Sequence, residues 1–181
     1  MIYGKNLRLR AIEKQDLPHF VAWLNDREVS QNLLSNESPL SVAQEEKWYE
    51  KVLEQPLEAQ PLAIEAHVGN EWFLLGDISL FDFNWRERSA EIGIFIGDKR
   101  FWNHGYGSEA MQVMTRHALF DLGLNRVYLH VFETNPRGIR AYEKAGFVLD
   151  GKLRQAHWQD GKFIDVLVMS IVRSDWHEEE S

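Results

Sequence analysis

Short runs in which apolar and polar residues alternate recur along this chain, and such alternation predicts β-strands with one buried face. The clearest run is 89–96, where Ile92, Ile94 and Ile96 share one face. Gly93, on the opposite face of this run, indicates a bulge or a close approach by another group. Six similar runs predict further strands at 7–12, 62–68, 72–83, 126–132, 147–153 and 163–172.

Other stretches repeat apolar residues every three or four positions, which is typical of amphipathic helices. The expected helices begin after the capping residues Asp16, Ser41 and Asn135, and from about Ser108 in the middle of the chain. A second short helix or turn is expected at 25–34. The resulting order, β-αα-βββ-α-β-α-ββ, predicts an α/β (α+β) domain with a mixed, mostly antiparallel sheet of about seven strands flanked by about four helices.

The chain has 181 residues, a length that suits one domain. We expect this domain to span 1–175 and the acidic residues 176–181 to form a flexible tail. The chain has no cysteine, which excludes disulfides, a cysteine acyl-enzyme and thiolate metal ligands, and no metal site is expected.

Charge and hydropathy narrow the choice of partners. The formal net charge of -8 argues against nucleic-acid binding, which needs a basic face. This charge is compatible with a cationic substrate, although many proteins are acidic only because acidity keeps them soluble. No apolar run approaches the ~20 residues that a membrane span needs. We therefore expect a cytoplasmic protein that binds neither nucleic acid nor membrane.

The segment between the strand 89–96 and the central helix is the main candidate for chemistry. Gly105 and Gly107 lie in this segment, and the helix that follows opens at Ser108. A strand, a glycine-rich turn and a free helix N-terminus together form an anion site, most often for phosphate. A P-loop nucleotide site is disfavoured because no Lys-Ser or Lys-Thr pair follows the glycines.

With these elements placed, the sequence resembles the GNAT N-acetyltransferase superfamily, in the branch of ribosomal-protein and spermidine N-acetyltransferases. The resemblance covers nearly the whole chain and depends on the segments AEIGIFIG–FWNHGYGSEAM, NPRGIRAYEKAGF and GKLRQAHWQDGKFIDVLVMSI. The superfamily usually has Gln or Arg three residues before Gly105, where this chain has Trp102. A phosphate-binding role for that side chain is therefore not carried over.

The resemblance implies an acetyl-CoA-dependent enzyme that acetylates a primary amine by direct transfer in a ternary complex, with CoA as the product. The acceptor stays open between a protein N-terminus, a polyamine and another small amine. Homodimers are common in the superfamily, so a homodimer is one expectation. The alternative is a non-catalytic module with this fold that binds acyl-CoA as a sensor.

The resemblance also implies which residues hold the cofactor. The backbone of 94–96 is expected to pair with the pantetheine arm, with Gly93 as the point where strands splay, and the amides of 104–108 to bind the pyrophosphate. Asn135 could bind the cofactor, cap a helix, or do both. The full set of expected cofactor residues is Ile94, Phe95, Ile96, Trp102, Asn103, His104, Gly105, Tyr106, Gly107, Ser108, Asn135 and Arg140.

Two residues are the expected catalysts. Tyr142 matches the position of the family's general acid, and a phenol with its ordinary pKa near ~10 can donate a proton to the departing thiolate. The alternative for Tyr142 is a half-buried aromatic residue of an amphipathic helix. Glu91 is the expected general base, or else a salt-bridged strand residue. His130, Asp82 and His157 are held in reserve for the base role.

Overall fold

Eight strands form one sheet in the computed structural model, which describes residues 1–33 and 38–177. The strands are β1 (Ile2–Tyr3), β2 (Leu7–Ala11), β3 (Leu62–Val68), β4 (Glu71–Asn84), β5 (Ser89–Ile96), β6 (Arg126–Phe132), β7 (Val148–Gln159) and β8 (Lys162–Val172). Their order across the sheet is β1-β2-β3-β4-β5-β6-β8-β7. Every neighbouring pair is antiparallel except β5 and β6, which run parallel.

Five helices cover the two faces of the sheet within the described ranges. They are α1 (Leu17–Leu24), α2 (Arg27–Ser30), α3 (Val42–Leu53), α4 (Tyr106–Arg116) and α5 (Pro136–Lys144), and α4 continues as a π-helical turn at His117–Asp121. The main apolar core lies on the face that α4 and α5 cover, where Ile78, Ile92 and Met111 are fully or nearly fully buried. A smaller core lies under α1 and α3. No helix in the described ranges is long and apolar enough to cross a membrane.

The predicted fold class and order of elements are confirmed. The short strand β1 is one more than the sequence pattern predicts, and β7 continues to Gln159 rather than ending at 153. The short helix expected at 25–34 is α2, although position 34 lies outside the described residues. Of the expected tail at 176–181, positions 178–181 also lie outside them.

Two local expectations are wrong, and a third, at Gly93, holds in one of its two forms. Asp16 does not cap α1: its carboxylate binds the Arg10 guanidinium at 2.7 and 2.9 Å, and the helix starts earlier as a 3₁₀ turn. The central helix begins at Tyr106 rather than Ser108 because Gly105 already takes the left-handed conformation, with φ of 89°, at its N-cap. At Gly93 the close approach is the alternative that the structure shows, since a Cβ there would lie 3.0 Å from the Phe81 ring, whereas no bulge is present and Gly93 pairs in register with Ser79 of β4.

The pairing between β5 and β6 is short, and this shortness creates the site. The two strands pair only from Ser89 to Glu91 and from Arg126 to Tyr128, yet both continue well beyond these residues. The strands therefore diverge beyond Glu91, two residues before Gly93, where the splay point is expected. We call the resulting V-shaped gap between 92–96 of β5 and 129–132 of β6 the fork.

Gly76 offers a test of how tightly β4 and β5 pack beside the fork. A methyl group at Gly76 would overlap the backbone carbonyl oxygen of Phe95, and neither strand can retreat without breaking the ladder. We expect Gly76→Ala to lower the free energy of unfolding by about 2–3 kcal/mol. Gly151→Ala is the control, because a methyl there meets no atom of the described residues within 4 Å. Urea denaturation measures both variants, and equal midpoints would contradict this packing.

Candidate active site

The fork presents unpaired backbone groups of β5. In an antiparallel ladder only alternate residues bond to a given neighbour. Gly97 donates to the Leu75 carbonyl oxygen at 2.7 Å, so the odd-numbered residues of β5 bond to β4. Ile94 and Ile96 consequently turn their N–H groups into the fork, where no strand of the described chain pairs with them. An extended ligand can therefore bind here as though it were a further strand.

A cavity of about 270 Å³ opens from the fork to the start of α4. Most of the residues expected to bind the cofactor line this cavity: Ile94, Phe95, Ile96, Trp102, Asn103, Gly105, Gly107, Ser108, Asn135 and Arg140. Tyr142, the expected general acid, lines it as well. Residues far apart in the sequence are thus brought to one site, as the order of the motifs predicts.

His104 and Tyr106 are not in the wall of the cavity. The Tyr106 ring instead packs edge-on against Phe101, with ring centroids 5.8 Å apart. The Tyr106 side chain is therefore engaged in the core, and its backbone remains available to a ligand at the N-terminus of α4. The helix begins there with unpaired amides and the positive end of its dipole, so the loop suits a phosphate group without any contribution from these two side chains.

Trp102 has a role that its residue type alone does not reveal. Its indole N–H donates to the Ile96 carbonyl oxygen at 2.7 Å, which ties the loop to the end of β5. The Arg137 guanidinium lies 3.5 Å from the centroid of the indole ring, an arrangement that stabilises the cation by cation–π attraction. Burial lowers the pKa of Arg137. Trp102 therefore joins the segment before α4 to the start of α5. The Gln or Arg that is usual at this position would not be held in this way and could reach a phosphate.

Asn135 caps α5, because its side-chain oxygen accepts from the Gly138 N–H at 3.0 Å. It also lines the cavity. Both of the roles considered for it are therefore compatible with one conformation, since the side-chain amide N–H groups are not used by the cap.

Tyr142 projects from α5 into the cavity and packs against the main core. Burial raises the pKa of its phenol to about 12, although the nearby Arg137 charge opposes the rise. The phenol therefore holds its proton throughout the neutral range, as a general acid must. The structure brings this donor to the same cavity as the free N–H groups of β5.

Glu91 lies at the closed end of the fork and does not line the cavity. Its carboxylate is buried and contacts the His130 imidazole across the two strands, with 2.7 Å between Oε1 and Nδ1. Of the reserve residues, Asp82 lies exposed in the irregular end of the β4–β5 pairing. His157 stacks on Phe132, with ring centroids 4.2 Å apart.

Several cavity residues were not anticipated as site residues. Val29, Asn32 and Leu33 reach the cavity from α2 and the segment after it. No motif marks them, because they come from a part of the chain remote in sequence from the fork. Phe101, Gly138 and Ala141 also line it, and all three lie beside residues that the motifs do mark.

Comparison with known proteins agrees with this geometry. The family model described as an acetyltransferase (GNAT) domain matches residues 6–148. The chain belongs to the GNAT acetyltransferase family. A spermidine N(1)-acetyltransferase from Vibrio cholerae is 29% identical over 173 residues, which is 96% of each chain. A Bacillus subtilis protein named a putative ribosomal N-acetyltransferase is 31% identical over 117 residues, covering 65% of this chain and 63% of that protein.

A solved structure extends the similarity to three dimensions. The crystal structure of spermidine N-acetyltransferase from Vibrio cholerae in complex with CoA and spermine superimposes with a TM-score of 0.84 at 28% identity, covering 95% of this chain and 98% of that one. The chain is thus an N-acetyltransferase that uses acetyl-CoA, which supplies an acetyl group activated as a thioester. The interpretation as an acetyltransferase is confirmed over the alternative of a non-catalytic module.

The placement of Tyr142 generates a prediction about its role. Tyr142→Phe removes the only acidic proton of this side chain and keeps the ring in the core, so CoA should bind with unchanged affinity. Turnover should fall by about 100-fold, the range for loss of a general acid. Calorimetry with CoA and a thiol-release assay measure the two quantities. Tyr3→Phe, at an exposed residue of β1, is the control. Equal turnover of Tyr142→Phe and the wild type would remove Tyr142 from the mechanism.

Proposed function

We propose that this enzyme acetylates a polyamine of the spermidine type by direct transfer in a ternary complex. The pantetheine arm would bind in the fork beside Ile94 and Ile96. The acceptor would approach from the face of the sheet on the side of α1 and α3, which we call the acceptor face. The observation that carries the choice of acceptor is a line of carboxylates on that face, from Glu91 to Asp77 and Glu45. The similarity to the Vibrio cholerae spermidine acetyltransferase over nearly the full length supports the same choice.

We propose that the acceptor lies along the stretch of the acceptor face between these carboxylates, which we call the trough. Its floor is the paired residues Ser79 and Gly93, both partly exposed although they lie mid-sheet. The aromatic rings of Phe81 and Phe95 stand on either side along the strands, and the Phe81 ring closely approaches Gly93. A Cβ at Gly93 would lie 3.0 Å from the Phe81 ring, so this ring covers Gly93 and narrows the trough. A thin, flexible aliphatic amine fits such a trough.

Asp77 and Glu45 form the far end of the trough. Asp77 of β4 pairs with Phe95, and Glu45 reaches it from α3. Burial and the neighbouring Glu45 charge raise the pKa of Asp77 to about 7. Burial also raises the pKa of Glu45. Among the described residues neither carboxylate has a cationic partner within salt-bridge distance, so a bound ammonium group would relieve the repulsion between them.

The two ends of the trough are separated by a length that suits a molecule with several amines. Glu91 lies four residues from Phe95, the strand partner of Asp77, which corresponds to roughly 13 Å along an extended strand. One amine can therefore reach the fork while a second is held near Asp77. An acceptor with one amine cannot use both ends.

A peptide N-terminus is the second candidate acceptor. The identity with the Bacillus subtilis protein named a putative ribosomal N-acetyltransferase favours it. A peptide with one terminal amine would gain little from the distant carboxylates, so the two candidates differ in their dependence on Asp77.

Other expectations from the sequence stay predictions. These are the division into a domain at 1–175 and a tail, the cytoplasmic location, the individual cofactor contacts and the homodimer. For a homodimer, β7 is the candidate edge, because it is a long edge strand with Leu149 and Trp158 exposed.

Asp77 provides the test of the acceptor. We expect Asp77→Asn to raise the KM for spermidine about tenfold, equivalent to roughly 1.4 kcal/mol, and to leave the KM for propylamine unchanged. Because Asp77 is charged above pH 7 and neutral below it, the wild-type KM for spermidine should also rise as the pH falls through about 7. In the variant this pH dependence should be weaker.

Asp121→Asn is the matched control, since Asp121 pairs with His117 on the π-helical turn after α4. If the wild type acetylates a peptide N-terminus but not spermidine, the peptide N-terminus replaces the polyamine as the proposed acceptor. An equal effect of Asp77→Asn on propylamine and spermidine would show that Asp77 does not bind the second amine.

A further inference from the structure

One contact bridges the two strands at the closed end of the fork. Glu91 is the last residue of β5 paired with β6, and His130 lies two residues beyond its partner Tyr128. The side chains of Glu91 and His130 lie on the acceptor face and meet with 2.7 Å between Oε1 and Nδ1. A histidine held by a carboxylate is thus placed where the acceptor face adjoins the fork.

The two partners differ in their access to solvent. The side chain of Glu91 is 9% exposed, whereas that of His130 is 27% exposed. Glu91 uses one carboxylate oxygen on the imidazole Nδ1, and His130 Nε2 has no hydrogen-bond partner among the described residues. An acceptor amine can therefore reach the imidazole more readily than it can reach the carboxylate.

We propose that His130 is the general base that deprotonates the acceptor amine, and that Glu91 is the residue that positions it. Glu91 fixes the tautomer with the proton on Nδ1, which leaves the Nε2 lone pair for the incoming ammonium group. This arrangement gives His130 the role that sequence reasoning assigned to Glu91. The proposal rests on the amine transfer described above but does not depend on which amine is the acceptor.

The proton balance of the reaction is closed by the two residues. His130 Nε2 takes one proton from the R–NH₃⁺ acceptor and later releases it to solvent. The neutral nitrogen then forms its bond to the acetyl carbon, and the carbon–sulfur bond breaks. Tyr142 gives its proton to the departing sulfur, and the second proton lost by the nitrogen restores the phenol. The products are the amide, CoA with a free thiol and one proton in solution.

The other groups that pack around His130 are not suited to act as the base. From β6, the Tyr128 ring lies edge-on, with ring centroids 6.0 Å apart. Burial, Glu91 and Asp82 raise the pKa of that phenol, so it is neutral at physiological pH. Arg126 is held over Tyr128, 4.8 Å from its ring centroid, and by Asp150. From β8, the strand partner of His130 is the apolar Val168.

His130→Gln is the central variant, because Gln can keep a hydrogen bond to Glu91 but cannot take up a proton. We expect its kcat at pH 7 to fall about 100-fold or more, the usual range for a general base. Wild-type kcat should rise with pH along one acid limb and then level off once the base is deprotonated. In the variant, kcat should continue to rise with pH toward the titration of the acceptor amine itself.

Glu91→Gln separates positioning from catalysis. Removing the carboxylate takes away a charge that favours the imidazolium, so the acid limb of the pH profile should move to lower pH and survive. If Glu91 were itself the base, Glu91→Gln would abolish that limb and His130→Gln would retain it. That outcome would overturn the proposal.

His117→Gln is the matched control. His117 contacts the Asp121 carboxylate at 2.8 Å, its side chain is 25% exposed, and it lies at the end of α4. Its profile should equal that of the wild type. The affinity of each variant for CoA, measured by calorimetry, reports on folding independently of turnover.

A second measurement covers the case in which His130→Gln loses CoA binding with its fold. His130→Ala leaves space for free imidazole, which should restore turnover at least tenfold in a buffer of pH 7 if only the base is missing. Failure of this rescue in a variant that binds CoA would overturn the proposal. If the wild type acetylates no amine in a panel of spermidine, propylamine and an N-terminal peptide, the amine transfer fails instead.

Discussion

Divergence of two parallel strands is the constraint on which the rest of this structure depends. β5 and β6 pair over only three residues each and then separate, which leaves the N–H groups of Ile94 and Ile96 without a strand partner in the described chain. Unpaired backbone groups in a sheet are costly unless a ligand or water satisfies them. The pantetheine arm of acetyl-CoA, in the binding mode proposed above, would meet this cost by pairing with these N–H groups.

The parts around the fork keep it open and separate its two sides. Trp102 donates a hydrogen bond to the Ile96 carbonyl oxygen at the end of β5, and the Arg137 guanidinium at the start of α5 stacks on its ring. The stacked Trp102 and Arg137 side chains therefore lie between the loop before α4 and helix α5. Tyr142 approaches from the face that α4 and α5 cover. Glu91 and His130 approach from the opposite face and close the narrow end. The proposed acid and the proposed base therefore lie on opposite sides of one gap.

Sequence patterns predict most of this fold for physical reasons that hold locally. The exact span of β5 follows from its alternation, and the cap of α5 follows from Asn135 before a proline. The failures come from side-chain contacts between different elements. Asp16 is a residue type that often caps helices, but here its carboxylate binds the Arg10 guanidinium of β2 and does not cap α1. The Glu91–His130 contact joins strands 39 residues apart, and no spacing rule reveals such a pair.

Backbone amide exchange of β5 tests the central claim most directly. If the fork holds the pantetheine arm as a further strand, saturating CoA should slow exchange at Ile94 and Ile96 by at least tenfold. Exchange at Gly93 and Phe95, which bond to β4, should change much less, so these residues are internal controls within the same strand. Uniform slowing along β5, or unchanged exchange at Ile94 in a protein that binds CoA, would contradict this account of the site.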